Sequence, residues 1–237
     1  MQNMHRFYAP EIETTLALPD EEAQHCCRVL RLKDGDEIEV VDGKGGLYKC
    51  RLLSASPKHC MVEIVEKVCV APHWGCRVTI AIAPTKKIDR MEWMVEKVTE
   101  MGVDRIIPLC CRYSERKVLK TERLRKIVVS AMKQSLKATL PQLDDLTPVE
   151  EVIAGDFHGQ RFIAYCDREI PRRNLIGEYK QGSDVMVMVG PEGDFSKDEI
   201  RSALAAGFVP VSLGDSRLRT ETAGVFACAA IHTINQL

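Results

Sequence analysis

The stretch Val211-Ser-Leu-Gly-Asp-Ser-Arg-Leu-Arg-Thr-Glu-Thr-Ala-Gly224 decides the fold predicted for this chain. Its first residues are predicted to end a short strand, because apolar residues alternate before Gly214, as is typical of a strand that runs into a turn. The apolar run 223–231 then predicts a helix, which Thr220 or Thr222 is placed to cap. A strand, a polar loop and a helix therefore follow one another here.

The loop between that strand and helix contains two arginines and a glutamate, Arg217, Arg219 and Glu221. Open α/β sheets bind their ligands at such loops, so the loop is a candidate ligand site. An ordinary connection with solvated arginines explains the same residues equally well, since strand–loop–helix units are common in α/β folds. The spacing alone does not separate the two interpretations.

A second strand–loop–helix unit lies just upstream and favours the ligand-site interpretation. The continuous apolar run 185–189 predicts a strand covered on both faces, and Gly190-Pro-Glu-Gly193 predicts a tight turn. Ser196 with Glu199 three residues on is the signature of a capping box at a helix start. The loop is neither a dinucleotide-binding fingerprint nor a Walker P-loop, so the two units together favour a compact, bent ligand.

The composition is that of a globular protein, since 45% of the 237 residues are hydrophobic and 28% are charged. No apolar run approaches the roughly 20 residues that span a bilayer, and the first residues lack the apolar core of a signal peptide. We therefore expect a cytoplasmic protein with no membrane partner. The ten cysteines include Cys26-Cys27 and Cys110-Cys111 but no C-x-x-C motif, so we expect reduced core cysteines and no metal site.

The net charge of −1 argues against a chain that is basic throughout, but the charge is unevenly distributed. Residues 73–137 contain fifteen Lys/Arg against seven Asp/Glu, whereas residues 1–72 and 138–237 are both net acidic. A basic middle region within a nearly neutral chain is a candidate anion-binding face.

Two patterns divide the chain into two predicted domains. Residues 1–72 are typical of short strands and turns with one helix, which Asp20 is placed to cap, and they indicate a small β-barrel. Residues 73–237 alternate strands with helices, and this alternation predicts a mostly parallel sheet with helices on both faces. One of these helices is basic, with Thr121 as its cap, and is predicted to run to about Thr139.

The basic region centres on residues 112–137, where nine lysines and arginines have few acidic neighbours. A solvated helix face is the ordinary explanation of such a run. However, the run follows a strand end, as Lys86 does, and therefore lies on the ligand edge of the sheet, where contacts to phosphates are expected. In the first domain, Arg6 beside aromatic residues, and Arg28 and Arg31 at helical spacing, are weaker candidates of the same kind.

Seven segments form a recognisable set that spans nearly the whole chain: His5-Arg6-Phe7, Cys27–Asp36, Trp93–Gly102, Ser114-Glu-Arg116, Gln134-Ser135, Gly190-Pro-Glu-Gly193 and Leu213–Ala223. Together they resemble the RsmE family of 16S rRNA uracil-N3 methyltransferases, of the knotted SPOUT class. The last two segments contain the most specific motifs. The chain departs from the family pattern at Asp194, where a second glycine is usual, and at Lys137, where an arginine is usual and a lysine loses the bidentate fork.

The resemblance implies the fold, the cofactor and the partners. The fold would be a PUA-like β-barrel over residues 1–72 and a trefoil-knotted α/β domain over residues 73–237, working as a homodimer without a metal. The methyl donor would be S-adenosylmethionine in bent form, and the substrate a uridine of 16S rRNA in the small ribosomal subunit. By likeness, the donor site comprises Gly190, Pro191, Glu192, Gly193, Leu213, Gly214, Leu218, Arg219, Thr220 and Thr222.

The implied chemistry is methylation of uracil N3, which must lose a proton while charge spreads onto O2 and O4. Because that base is normally paired, the site must admit an unpaired or extruded uridine. We assign Arg219 an electrostatic role and Glu221 a role as base or orienting group, and we expect Arg217 to be a surface residue. The RNA would be held by Arg6, Arg28, Arg31, Lys86, Arg112, Arg116, Lys117 and Lys137.

Three other functions stay open. A non-catalytic rRNA-binding assembly factor could keep the fold, and it would bind no S-adenosylmethionine. A knotted methyltransferase could act on a ribose 2′-OH or a tRNA base, which the identity of the methylated nucleoside would reveal. A nucleotide-dependent α/β enzyme is the weakest alternative, because the chain lacks any phosphate-loop signature.

Overall fold

The computed structural model describes residues 5–72, 74–166 and 171–237. His73, which adjoins the predicted domain boundary, lies outside the described residues. None of the described helices is both long enough and apolar enough to cross a membrane.

By its internal contacts the chain forms two compact units. The first comprises residues 1–73 together with 129–140, and the second comprises residues 74–128 together with 141–237. The first unit is therefore discontinuous in sequence, a feature that no shift in composition indicated.

A mixed four-stranded sheet forms the framework of the first unit. Its elements are β1 (Arg6–Tyr8), α1 (Ile12–Thr15), α2 (Asp20–Gln24), β2 (Glu37–Val41), β3 (Gly46–Ser54) and β4 (Met61–Cys69). β1 pairs with β2 in parallel, whereas β2 with β3 and β3 with β4 pair antiparallel. Ala17 adds an antiparallel bridge to Met61. Inward-facing side chains such as Phe7, Ile38 and Tyr48 are almost fully buried and form the core.

The main helix of the first unit differs from the prediction at both ends. Pro19 occupies the N-cap position and offers no side-chain acceptor, so the prediction that Asp20 caps the helix was wrong. Asp20 lies instead in the first turn, where its carboxylate interacts favourably with the helix dipole. After α2 the chain continues as a π-helix over His25–Val29, and such wide turns are rare. Arg31 follows with a φ of 57°.

The second unit contains the alternating strands and helices that the sequence predicts. The earlier elements are β5 (Val78–Ile82), α3 (Ile88–Met101), β6 (Arg105–Cys110) and α4 (Thr121–Gln134), whose last residues belong to the first unit. The later elements are β7 (Gln142–Leu143), β8 (Thr147–Pro148), α5 (Val149–Ala154), β9 (Gln160–Ala164), β10 (Arg173–Asn174), α6 (Leu175–Glu178), β11 (Val185–Val189), α7 (Lys197–Ala205), β12 (Val209–Ser212) and α8 (Thr220–Asn235).

The described strand pairs of the second unit are all parallel. The order across the main sheet is β10-β12-β9-β11-β5-β6-β7, and β8 pairs with β6. Every residue of β5 and β11 is buried, as expected of strands covered on both faces. Since β12, β9 and β11 are neighbours, their carboxyl ends meet at one edge of the sheet. The three loops that follow these strands therefore lie side by side.

The basic helix α4 is shorter than predicted. It ends at Gln134 rather than near Thr139, because Leu136 takes a φ of 58°, which stops the helix. Thr121, which was predicted to cap this helix, is its first residue, and its hydroxyl donates to Asp145 Oδ1 at 2.7 Å.

The chain after α4 packs within the first unit. The backbone N–H of Gly45 donates to the Ala138 carbonyl at 3.1 Å, and Met132 and Ala138 join a small apolar cluster with Val41. Lys133 also forms an ion pair of 2.5 Å with Glu22. Residues 129–140 are therefore a packed and paired part of this unit.

α8 packs closely against α3 and β5, and a glycine permits this approach. A Cβ at Gly224 would lie 2.7 Å from Ile82 Cδ1 and 3.4 Å from Met94 Cγ. Both of these neighbours are fully buried. The packing fixes the start of α8 at the same sheet edge as the three loops.

Candidate active site

A cleft of about 420 Å³ opens at the sheet edge where β9, β11 and β12 end. Its walls are the loops after these strands and the first residues of α8. Nine of the ten residues predicted for the donor site line it: Gly190, Pro191, Glu192, Gly193, Leu213, Gly214, Leu218, Arg219 and Thr220. Thr222 is the exception, because it is exposed on α8 and lies outside the lining, so we do not retain it.

The loop after β11 is fixed on two sides by its own residues. Glu192 Oε1 accepts a hydrogen bond of 3.0 Å from the backbone N–H of Lys86, which follows β5. At the other end, the Cβ of any residue replacing Gly190 would lie 3.0 Å from the Phe195 ring. The glycine therefore allows the aromatic ring to pack directly under the loop.

Asp194, a departure from the family pattern, has a structural role in this loop. It takes a φ of 65°, a conformation that glycine adopts without strain and that aspartate tolerates better than most residues. Its Oδ2 accepts from the backbone N–H of Cys166 at 2.8 Å, and its Oδ1 accepts from Phe195 at 2.9 Å. The carboxylate therefore joins the loop after β11 to the loop after β9.

Thr220 joins the loop after β11 to the start of α8. Its hydroxyl donates to the Gly190 carbonyl at 3.2 Å, and both residues are buried. The prediction that Thr220 or Thr222 caps α8 was wrong, because Arg219 occupies the N-cap position and no side chain makes a capping bond. The Thr220 hydroxyl bonds to the loop after β11 instead of capping the helix.

The two predicted catalytic residues differ in their surroundings. Arg219 is exposed on the cleft wall, whereas Glu221 is buried at 7% exposure in the first turn of α8. Arg90 of α3 also lines the cleft, and its Nε lies 3.6 Å from Glu221 Oε1. The ion pair offsets part of the free energy of burying the Glu221 carboxylate.

The cleft is also lined by residues that were not predicted from the sequence, among them Arg90, Tyr165 and Arg172. No motif marks Arg90, but Tyr165 directly follows β9, so its position at the edge of a parallel sheet was available as a signal. The Arg172 guanidinium donates to the Tyr165 carbonyl and lies 5.7 Å from its ring centroid. Arg217, expected to be only a surface residue, is exposed and also lines the cleft.

Among the predicted RNA-binding residues, Arg116 and Lys117 hold a loop in place. The Arg116 guanidinium donates to the carbonyls of Thr85 at 3.2 Å and Lys86 at 2.7 Å. Lys117 Nζ donates to the Cys111 carbonyl at 2.7 Å. Both cations therefore stabilise the segment after β6, a role that the charge pattern did not reveal.

Other residues of the predicted RNA surface are paired with acids to different degrees. Lys86 forms an exposed ion pair of 2.8 Å with Glu115, whose carboxylate raises the pKa of the lysine. In the first unit, Arg6 has only 10% of its side chain exposed and pairs with Glu39 at 2.6 Å, so we do not retain it as an RNA contact.

The remaining four predicted RNA-binding residues are also at least partly exposed. They are Arg28, Arg31, Arg112 and Lys137. Within the same basic stretch, Arg123 pairs with Glu92 and Arg125 with Asp145, which reduces the excess of positive charge there.

Two family models match the chain. An RNA methyltransferase domain matches residues 72–232, and an RNA methyltransferase PUA domain matches residues 18–65. The first match covers the whole cleft, and the second falls within the four-stranded sheet and its helix.

Individual relatives agree with these models. A ribosomal RNA small subunit methyltransferase E from Aquifex aeolicus is 32% identical over 94% of this chain and 96% of its own. A solved probable rRNA-methyltransferase from Porphyromonas gingivalis is 47% identical, with a TM-score of 0.93 over 98% and 99% of the two chains. A ribosomal RNA small subunit methyltransferase E from Neisseria gonorrhoeae, solved with S-adenosyl methionine, is 30% identical, with a TM-score of 0.86 over 98% of both chains.

Proposed function

This chain belongs to the RNA methyltransferase family, among the ribosomal RNA small subunit methyltransferases E, and from this premise we propose that it methylates N3 of a uridine in 16S rRNA with S-adenosylmethionine. Methyl transfer from S-adenosylmethionine to small-subunit rRNA follows from the family. The choice of uracil N3 is the finer proposal, and the RsmE likeness of the motifs supports it.

One observation supports the proposal above the others. The motif residues of two loops, Gly190–Gly193 and Leu213–Thr220, line one cleft, and the Thr220 hydroxyl joins the two loops by its bond to the Gly190 carbonyl. Its volume of about 420 Å³ lies in the range of small-molecule sites, and Leu213 and Leu218 give it apolar surface beside backbone polar groups. These features fit a compact donor such as S-adenosylmethionine.

Bound S-adenosylmethionine supplies a methyl group already activated by its sulfonium. The protein must therefore position uracil N3, take up the N3 proton or pass it to solvent, and stabilise the charge on O2 and O4. The exposed Arg219 guanidinium on the cleft wall is suited to that electrostatic role. Glu221 is buried and paired with Arg90, which favours its orienting role over a role as base.

Substitution of the two neighbouring arginines tests the role of Arg219. Both Arg217 and Arg219 are exposed on the same loop, which makes Arg217→Ala a matched control. We expect Arg219→Ala to lower kcat on small subunits by about 100-fold, as the loss of one electrostatic donor does in other enzymes, and Arg217→Ala to change it only a few-fold. Cofactor binding and full turnover in Arg219→Ala would show that the role is wrong.

Nucleoside analysis tests the reaction itself. Small-subunit rRNA and tRNA from cells with and without the protein are digested separately, and their methylated nucleosides are identified by mass spectrometry. We expect 3-methyluridine to be lost without the protein. Loss of a 2′-O-methyl nucleoside or a modified tRNA base would support another knotted methyltransferase, and the absence of S-adenosylmethionine binding in calorimetry would support an assembly factor.

We also propose that the protein works as a homodimer in the cytoplasm, without a metal in its active site. The dimer is implied by the family resemblance and supported by Trp93 on α3, a large aromatic side chain that is 44% exposed. Light scattering after size exclusion should give twice the monomer mass, and Trp93→Arg should lower it. A monomer at micromolar concentration would rule out this assembly.

A further inference from the structure

Three cysteines of the first unit come together in space. The Sγ atoms of Cys26, Cys27 and Cys60 all lie within 4.8 Å of one another. Cys26 and Cys60 are almost fully buried, at 0% and 1% exposure, and Cys27 is partly exposed. In the described part of the chain, no other three cysteine, histidine or acidic side chains form such a group.

The fold assembles this cluster from two distant segments. Cys26 and Cys27 belong to the π-helix His25–Val29, whereas Cys60 lies 33 positions after Cys27, directly before β4. The π-helix is closed by a hydrogen bond of 3.0 Å from the Leu30 N–H to the His25 carbonyl. π-Helical turns are rare and frequently occur at functional sites.

The arrangement resembles a ligand shell more closely than ordinary core packing. Four thiolates around a zinc ion, at zinc–sulfur distances of about 2.3 Å, have their sulfur atoms about 3.8 Å apart. Three sulfur atoms already within 4.8 Å need only a small contraction to reach that spacing. The partial exposure of Cys27 leaves a side on which a fourth ligand, such as water, can enter.

We propose that Cys26, Cys27 and Cys60 form a binding site for one thiophilic cation with a filled d shell, namely Zn²⁺ or Cu⁺. Thiolate sulfur selects these soft cations. On binding, each thiol releases its proton to solvent and its sulfur donates a lone pair to the cation, so no electron is transferred. The cation would then link the π-helix to β4. None of the three cysteines lines the methyl-transfer cleft.

Cobalt provides a spectroscopic probe for the zinc form of this site. The untagged, full-length protein is prepared reduced and metal-free, titrated with Co²⁺, and then with Zn²⁺. We expect thiolate-to-cobalt charge-transfer absorption at one equivalent, and its loss as Zn²⁺ displaces the cobalt. A hundredfold excess of Zn²⁺ over Kd should raise Tm by about 5–10 °C. An anaerobic Cu⁺ titration distinguishes the two cations, and binding of either cation by the three cysteines supports the proposed site.

Three variants locate the bound metal. Cys60→Ala and the milder Cys27→Ser should each lose the charge-transfer band and weaken binding by at least about 100-fold, since one of three thiolates is removed. Cys69→Ser, an exposed cysteine of the same unit, should bind like the parent. The proposal is overturned if the parent protein binds neither Zn²⁺ nor Cu⁺, or if Cys27→Ser binds the cation with the affinity of the parent. The assay uses neither RNA nor S-adenosylmethionine, so its outcome is independent of the proposed function.

Discussion

Replacing Thr220 by valine removes the hydrogen bond between the two loops while keeping the shape of the side chain. The hydroxyl donates to the Gly190 carbonyl at 3.2 Å, and Thr220 is only 7% exposed. The variant loses that bond and leaves the buried carbonyl without its donor. We estimate the combined cost at about 2 kcal/mol, from a net hydrogen bond and the desolvation of the stranded oxygen.

This loss of free energy can be measured either in the binding of the donor or in the stability of the fold. If the loops separate without their link, it weakens donor binding, and about 2 kcal/mol corresponds to a rise in Kd for S-adenosylmethionine of about 30-fold. If the loops stay together, the cost lowers the free energy of unfolding instead, and Tm falls by about 4–8 °C. Isothermal titration calorimetry gives the first quantity and differential scanning calorimetry the second.

Thr220→Ser is the matched control, because it keeps the hydroxyl and removes only a methyl group. We expect its Kd for S-adenosylmethionine to stay within a few-fold of that of the parent. If Thr220→Val binds the donor with the parent Kd and also melts at the parent Tm, the bond to Gly190 contributes nothing, and our account of how the two loops are joined is incorrect.

Two further predictions concern the second unit. Gly224→Ala should lower Tm, measured by scanning calorimetry, because the new Cβ would lie 2.7 Å from Ile82 Cδ1 and overpacking costs about 1–3 kcal/mol, more than the roughly 1 kcal/mol gained in helix propensity; an unchanged Tm would mean that Ile82 moves freely. Burial raises the pKa of Asp104, so its carboxyl group binds a proton more tightly in the folded state than in the unfolded chain. The free energy of unfolding therefore falls as the pH rises through the folded-state pKa. Asp104→Asn, which keeps an oxygen acceptor for the Val78 N–H, should match the parent in urea denaturation near about pH 3 and exceed it at about pH 7; an equal difference at both pH values would contradict this.

The fold class and the position of the cleft could be predicted from the sequence because they depend on local patterns. The apolar run before Gly190 predicts a buried strand, and the alternating apolar residues before Gly214 predict a second strand. Parallel strands place their following loops at one edge of the sheet. Ser196 and Glu199 form the predicted capping box, with Glu199 Oε2 accepting from the Ser196 N–H at 2.7 Å. Each of these inferences uses residues only a few positions apart.

The features that the sequence did not reveal depend on distant contacts. Threonine is a common helix-capping residue, yet the Thr220 hydroxyl bonds to a carbonyl 30 residues earlier in the chain. Arg90 is an ordinary helix residue until folding brings it to Glu221. Cys60 completes the cysteine group from 33 positions away, so no spacing motif could mark it. Local propensity carries no information about such partners.

The discontinuity of the first unit has a consequence for the order in which the chain is synthesised. Val41 and Gly45 are made early, but their partners Met132 and Ala138 are made only after β5, α3 and β6 of the other unit. The N-terminal unit therefore cannot complete its core while it is the only part that has left the ribosome. A fragment that stops at residue 72 should expose this apolar cluster, so an excised N-terminal domain should include a graft of residues 129–140.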